Sequence, residues 1–393
     1  MRRLLFCLLV AGFGMVGFAR DAAAYPQFQF SSGTNKCSQC HFSPAGGGLI
    51  SSWGRSESGD TISMAGNGAF LHGAVTLPSW VALGLDARVA GIRTDDGGDV
   101  APSGAWFPMQ ADLYARFAFN DAFSLYLENG VRGEVRAEDP SISGRIGTVT
   151  DRFISREHYF MWRPSATGPY ARIGRFFAPY GLRFVEHIYF VRRYTGYNLY
   201  EETYTASGGY VADDWELHLS AFTPPPSSFP DMLSSVGPHE SGGAGYFEKR
   251  FASESALAGA LALQARVGIG KEEARYQGGA IGKLWIDPAK LLFMGEADFI
   301  RQQISAASYG QNQFVSYAGL SVFPVRGLMV SAAYERFQEN LAVSSTGRNA
   351  YDGQINLFPY AHCELLLFGR YMMVGQQGQP AASLLMLQLH YYL

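Results

Sequence analysis

Cysteine is scarce in this 393-residue chain: the four are Cys7, Cys37, Cys40 and Cys363. Cys7 sits in the leader and Cys37 and Cys40 form a close pair, so Cys363 is left alone and the spacing offers no disulfide framework. Charge is also sparse. Asp, Glu, Lys and Arg make up 17% of the residues and the formal net charge is −3, a weak acidity that argues against a nucleic-acid partner. Long apolar runs are missing: beyond the leader nothing reaches the ~18 residues of a spanning-helix candidate, although mean hydropathy is close to zero. A soluble β-sandwich or β-propeller is the alternative all-β reading, and no blade-like repeat supports it.

The first residues, MRRLLFCLLVAGFGMVGFARDAAA, read as a secretory signal peptide over 1–24. Arg2 and Arg3 form its basic start, an apolar stretch follows, and Ala22-Ala23-Ala24 supplies a cleavage site. The apolar core of about 16 residues is short against the ~20 of a membrane-spanning helix. Cys7 lies early in that run behind Phe6, which is not where a lipoprotein cysteine stands. Removal of 1–24 takes three arginines and one aspartate with it and moves the formal charge from −3 to −5.

What is abundant is aromatic side chains, 14% of the chain, and glycine, with 46 residues. An exported chain of this kind, neither openly apolar nor highly charged, suits a transmembrane β-barrel, whose strands each hide half their side chains from water. Period-2 alternation supports that choice. In MQADLYARFAFN, Ala111, Leu113, Ala115, Phe117 and Phe119 share one face, and Gln110, Asp112, Tyr114 and Arg116 the other. In DWELHLSAFT, Trp215, Leu217 and Leu219 oppose Glu216, His218 and Ser220; in KLLFMGEADFI, Phe293, Ala297 and Phe299 oppose Glu296 and Asp298.

Read this way, the sequence predicts about sixteen strands from Val81 onward, centred near residues 86, 114, 128, 160, 173, 207, 218, 248, 262, 281, 295, 317, 332, 354, 367 and 387. Short turns are expected at Asn120-Asp121, Pro164 to Gly168, Asp213-Asp214, Ala252 to Ser255, Asp287-Pro288, Pro324 to Gly327 and Pro359-Tyr360. They alternate with longer connections such as TDDGGDVAPSGA and RAEDPSISGRIGTVTD. The expectation is an all-β, porin-like up-and-down barrel over 78–393 in the outer membrane of a Gram-negative bacterium, closed because an open edge would strand backbone groups in hydrocarbon. An even strand count puts both termini in the periplasm, and sixteen strands leave an aqueous lumen. Leu385, Leu387, Leu389, Tyr391 and Leu393 share a face of the last strand, and Cys363 shares parity with Leu365 and Leu367 as a small lipid-facing residue. Charges on the inner face are mixed: Asp112, Glu128, Glu296 and Asp298 against Arg116, Arg132 and Arg370.

The segment 25–75, ahead of the barrel, carries CSQCH at residues 37 to 41. C-x-x-C-H is a c-type haem attachment sequence: two thiols form thioethers to the macrocycle and the adjacent imidazole ligates iron. Cys37 and Cys40 are therefore candidate attachment residues and His41 the candidate axial ligand. A redox-active C-x-x-C would want a βαβ context, and a zinc knuckle a second pair of ligands; neither is present. Gly46-Gly47-Gly48 allows close backbone approach to a haem or is simply a turn, with Trp53 or Phe42 as candidate walls. Met64 and His72 are the alternative sixth ligands within the segment, and a vacant or barrel-supplied position is a third choice. For His158, His187, His218, His239, His362 and His390 the expectation is a lumen or loop position without a metal role. So short a segment cannot bury a cytochrome core of its own, so the barrel is expected to wall the haem.

A signal peptide, one CSQCH and a barrel to the C-terminus together resemble the fused monohaem cytochrome c-porin family of outer-membrane electron-transfer proteins, best known from iron oxidisers. RIGRFFAPYGLRF is also similar to segments common in porins. The resemblance implies one covalent haem c and one-electron transfer between an extracellular donor or acceptor, with Fe(II) the leading candidate, and a periplasmic cytochrome or other redox carrier. It makes the chain a candidate outer-membrane iron oxidase. The flank FSPAGGG departs from that of the iron oxidisers, which leaves a sister group with another substrate open. Asp95, Asp96, Asp99, Glu138, Asp139, Glu201 and Glu202 are expected in or beside outer loops, where they attract metal cations or are simply solvated. The alternative function is a passive diffusion porin whose haem segment is a structural or sensory plug.

Overall fold

The computed structural model describes residues 25–98, 101–132, 153–198, 201–225, 240–251, 256–304, 309–375 and 381–393. The signal-peptide segment, the loop acids Asp99, Glu138 and Asp139, and His239 lie outside the described residues.

From Val81 the chain runs through β1 (Val81–Asp95), β2 (Ser103–Ala118), β3 (Phe123–Arg132), β4 (Phe153–Trp162), β5 (Gly168–Phe176), β6 (Thr203–Val211), β7 (Trp215–Thr223) and β8 (Ser241–Phe251). It continues through β9 (Leu257–Ile269), β10 (Glu273–Ile286), β11 (Leu291–Ile304), β12 (Tyr309–Val325), β13 (Leu328–Gln338), β14 (Gly347–Tyr360), β15 (Cys363–Val374) and β16 (Ala382–Tyr392). Each strand pairs antiparallel with the next, and β1 closes on β16 with Asp86 opposite Tyr392 and Gly91 opposite Leu387. Each of the sixteen expected centres falls within a strand of its own. Closure satisfies the backbone ladder all the way round, which is what allows strands to stand in hydrocarbon.

The alternation sorts as the residues dictate. Leu113 is 64% exposed on the outer face, whereas Asp112 beside it is fully buried. Phe293 and Phe299 point outward while Glu296 and Asp298 point in. Aromatic rings gather around the outside at the short-turn end, where Phe123 stacks on Phe160 at 5.6 Å and Trp80 lies 6.5 Å from Phe117. Such girdles mark the level of a membrane interface.

Local chemistry makes the turns. Asn120 Oδ1 accepts the backbone N–H groups of Ala122 and Phe123, each at 2.9 Å, an Asx turn between β2 and β3. The expected turn at Pro359-Tyr360 moves: β14 runs on through Tyr360, and the reversal falls at Ala361-His362, with His362 left-handed at φ 67°. A register shift between Leu357 and Tyr360 absorbs Pro359, which has no N–H to give the ladder. Leu393 also departs from expectation. It leaves the strand, donates its N–H to Leu85 O at 2.8 Å and is buried instead of facing lipid.

Two segments fold into the lumen. The first is 25–75, with α1 (Phe28–Ser31), α2 (Cys37–Cys40) and α3 (Ser52–Glu57), seated at the end of the short turns. Lys36 Nζ pairs with Asp213 at 2.7 Å, Met64 N–H donates to Phe358 O at 2.9 Å, and Arg326 donates to the carbonyls of Ser63 and Gly59. The second runs between β5 and β6 and contains α4 (Phe190–Arg193). Lumen carboxylates and amides accept from it: Tyr180 Oη donates to Asp298 at 2.6 Å, Leu182 N–H to Glu296 at 2.8 Å and Gly181 N–H to Gln264 at 2.7 Å. Its Leu182, Phe184, Tyr189, Phe190 and Val191 pack against inward-facing Tyr246, Tyr317, Phe337 and Phe368 in one buried cluster. A loop with this much apolar surface stabilises itself by burial, at roughly 25 cal/mol per Å².

Candidate haem-attachment site

α2 is a single turn, closed by His41 N–H donating to Cys37 O at 3.0 Å. Cys37 and Cys40 are three apart on it and so lie on one face. His41 leaves the turn extended, at φ −118° and ψ 150°. It begins a short hairpin: His41 bridges Ile50, and Phe42 N–H donates to Leu49 O at 3.2 Å. The tip, Pro44 to Gly48, turns through three successive left-handed glycines, Gly46, Gly47 and Gly48 at φ 82°, 81° and 61°. Three residues in that region explain why glycine fills all three positions. The barrel holds this finger, since Tyr126 Oη accepts Leu49 N–H at 3.2 Å and Arg172 Nη1 donates to Ser43 Oγ at 3.1 Å.

Cys37, Cys40 and His41 all line one cavity of about 130 Å³. The leader supplies one side of it with Tyr25, Phe28 and Gln29, and the barrel wall another with Leu85, Tyr114, Phe358 and Tyr392. Leu182 and Arg183 of the inserted loop line it as well. The barrel therefore walls the site, as the shortness of 25–75 implies. Ala45, Gly48, Leu182 and Arg183 also border a second space of about 70 Å³.

Burial decides the resting chemistry of the triplet. It lowers His41 to about 4, against the opposing effect of the Gly47 and Gly48 backbone, so the imidazole is neutral at pH 7. It pushes the Cys40 thiol up to about 12 and raises Cys37, with Arg183 working the other way on Cys37. Both cysteines are free thiols.

Cations and a histidine that sequence reasoning did not assign to the site border the same cavity: Arg88, Arg183, Lys283 and His390. Arg88 is held by both Asp86 oxygens at 2.9 Å. Lys283 Nζ donates to Gln29 Oε1 at 2.6 Å and Glu248 Oε2 at 2.7 Å. Arg183 donates to Ala45 O, its guanidinium 4.8 Å from the Tyr246 ring centroid. The strand parity of Arg88, Lys283 and His390 shows that they point inward; their depth along the barrel is what brings them to the cysteines.

Other expected residues go elsewhere. Met64 is 45% exposed and packs over Gly327 at the short-turn rim, and its backbone is tied to Phe358. His72 is half-buried and left-handed, its ring 5.2 Å from Tyr360 and 5.3 Å from His362. Neither lines the cavity. Trp53 and Phe42 do not wall it either: Trp53 is exposed, and Phe42 packs under the Arg116 guanidinium at 4.7 Å. Of the loop acids, Glu202 is buried against Arg156 at 2.6 Å, because the inserted loop brings it inside the barrel.

From the cavity's Leu182–Arg183 border a run of ring contacts leads toward the long-loop end. Phe184 lies 4.6 Å from Tyr317, which is 5.3 Å from Tyr189; next in the chain, Phe190 lies 6.4 Å from Phe337, on which Tyr194 stacks at 3.7 Å.

The chain is a transmembrane β-barrel of porin architecture. No protein-family model matches the sequence, and no curated protein is similar to it. Among solved structures, OprB of Pseudomonas putida is similar with a TM-score of 0.60 at 10% identity, over 80% of this chain and 94% of its own. A loop L8 deletion mutant of OmpT, an outer membrane protein of Vibrio cholerae, gives 0.55 at 12% identity, over 80% and 100%. An anion-selective porin from Comamonas acidovorans gives 0.54 at 10% identity, over 80% and 99%. Identities this low carry the fold alone.

Proposed function

We propose that this chain is an outer-membrane electron-transfer protein that holds one c-type haem at the short-turn, periplasmic end of its barrel, as its resemblance to fused monohaem cytochrome c-porins implies. The observation that carries the reading is the meeting of Cys37, Cys40 and His41 on one cavity walled by the barrel. The residues fit the group. Two protonated thiols on one turn would form the thioethers, a neutral imidazole would ligate iron, and Arg88, Arg183 and Lys283 would face the carboxylates of the macrocycle. Bound there, the haem supplies a one-electron couple in a membrane whose apolar band is ~25 Å tall.

The chain's own residues do the rest. The inserted loop and the leader take up lumen space that a diffusion porin leaves to solutes. Buried walls and fixed cations would set the potential through local dielectric and charge. The ring contacts from Phe184 to Tyr194 lie between the cavity and the far end, where an extracellular donor or acceptor would dock. A periplasmic cytochrome would exchange electrons at the short-turn end.

Two measurements test this reading. Haem staining of the denatured protein, isolated from a host with a c-type maturation system, is expected in the wild type and lost in Cys37→Ser/Cys40→Ser. In liposomes, external Fe(II) is expected to reduce the haem band; a band that only dithionite reduces would exclude iron as donor. Brisk sugar flux in a swelling assay favours the passive porin with a haem-bearing plug.

A further inference from the structure

His390 stands on β16 among the residues lining the cavity that holds Cys37, Cys40 and His41. Its ring is oriented by a carboxylate: Nδ1 lies 2.7 Å from Glu364 Oε2. Glu364 is fixed in turn, accepting from the Tyr25 hydroxyl at 2.7 and 2.9 Å and from Asn356 Nδ2 at 2.6 Å. This is the carboxylate–histidine pattern that places the lone pair of a ligating imidazole on Nε2. That Nε2 is buried and makes no hydrogen bond. Asp86 Oδ1, which also accepts from Arg88, is 3.2 Å away, and ligation of iron by Nε2 would displace that ion-pair contact.

The other donors on the cavity wall are weaker candidates. Lys283 is engaged as an ammonium by Gln29 and Glu248, so it has no lone pair to offer. Tyr25 and Tyr392 are hydrogen-bonded to Glu364 and Ser58. Tyr114 lies beside the carboxylates of Asp86, Asp112 and Glu128. No methionine lines the cavity.

We infer that His390 supplies the second axial ligand of the haem iron from the barrel wall, with Glu364 as its positioning residue; the inference rests on the haem reading above. The iron is then bis-histidine, and the barrel, not the leader, completes its coordination. A histidine in place of methionine keeps the potential on the low side, and a carboxylate on Nδ1 makes the ligand more basic and lowers it further.

The test uses the full-length haem-bearing protein in detergent. The wild type is expected to be low-spin in the ferric state by electron paramagnetic resonance, without the charge-transfer band of a methionine–iron bond. His390→Ala should become high-spin and return to low-spin when imidazole is added, while Met64→Ala and His72→Ala remain as wild type. Low-spin haem in His390→Ala, or a change of ligand signature in Met64→Ala or His72→Ala, overturns the inference. A wild type with no covalent haem instead defeats the underlying reading. Glu364→Gln keeps the ring and guards against a misfolded alanine variant: it should stay low-spin with a raised midpoint potential, and an unchanged potential counts against His390.

Discussion

The Tyr180 hydroxyl donates to Asp298 Oδ1 at 2.6 Å, joining the loop after β5 to the inner wall at β11. Together with the contacts of Glu296 and Gln264 to the same loop, it keeps in the lumen a segment that would otherwise sit outside. Charge-assisted bonds of this kind contribute ~1.5–3 kcal/mol each. Asp298→Ala combined with Glu296→Ala is therefore expected to release the loop and raise single-channel conductance in planar bilayers. Conductance equal to wild type would show that the aromatic cluster holds the loop without them.

The glycine finger offers a second prediction. A Cβ at Gly48 would lie 2.3 Å from Tyr126 Oη, at a backbone φ of +61°. Gly48→Ala should destabilise the seated leader by ~1–3 kcal/mol, seen as faster tryptic cleavage at Lys36 or Arg55. Adding Tyr126→Phe removes the clashing hydroxyl and should restore part of the resistance, although the bond from Leu49 N–H is then lost.

Arg192 is buried, and its guanidinium donates to the carbonyls of Phe184, Val185 and Tyr197 at 2.6, 2.7 and 3.0 Å. Arg192→Met leaves three buried carbonyls unpaired, a cost on the order of 3 kcal/mol. Arg192→Lys should recover little, since an ammonium cannot reproduce the planar fork. A urea series read by the gel shift between folded and unfolded barrel measures both.

Glu201 predicts a pH dependence. Burial raises its carboxyl to about 7, with the Asn198 N–H, Arg275 and Arg266 pulling the other way and Glu240 adding to the rise. Between about 4.5 and 7 the folded protein keeps a proton that the unfolded chain has released, so this contribution is complete at low pH and is lost as pH rises through 7. The urea midpoint of the wild type should fall from pH 5 to pH 8 by more than that of Glu201→Gln.

Strand placement was legible because lipid demands one apolar face, and a period of two gives it: Leu113 out and Asp112 in can be read without coordinates. The motif at Cys37, Cys40 and His41 was legible because it is local. The contents of the lumen were not. Residues 177–202 read as a connection, and the signal that could have exposed them is their own composition: an aromatic, apolar stretch without alternation, with no serine and only two glycines.

By itself the sequence determined the all-β class, the number and faces of the strands, and the CSQCH triplet that makes a candidate haem-attachment site, since each depends on neighbours a few residues apart. Only the tertiary structure decided that the loop after β5 also fills the lumen, and that Arg183 and His390 reach the cavity while Met64 and His72 do not. Closing a barrel around an inserted segment brings residues more than three hundred positions apart, such as His41 and His390, onto one cavity, and no local pattern encodes the depth at which an inward side chain will lie.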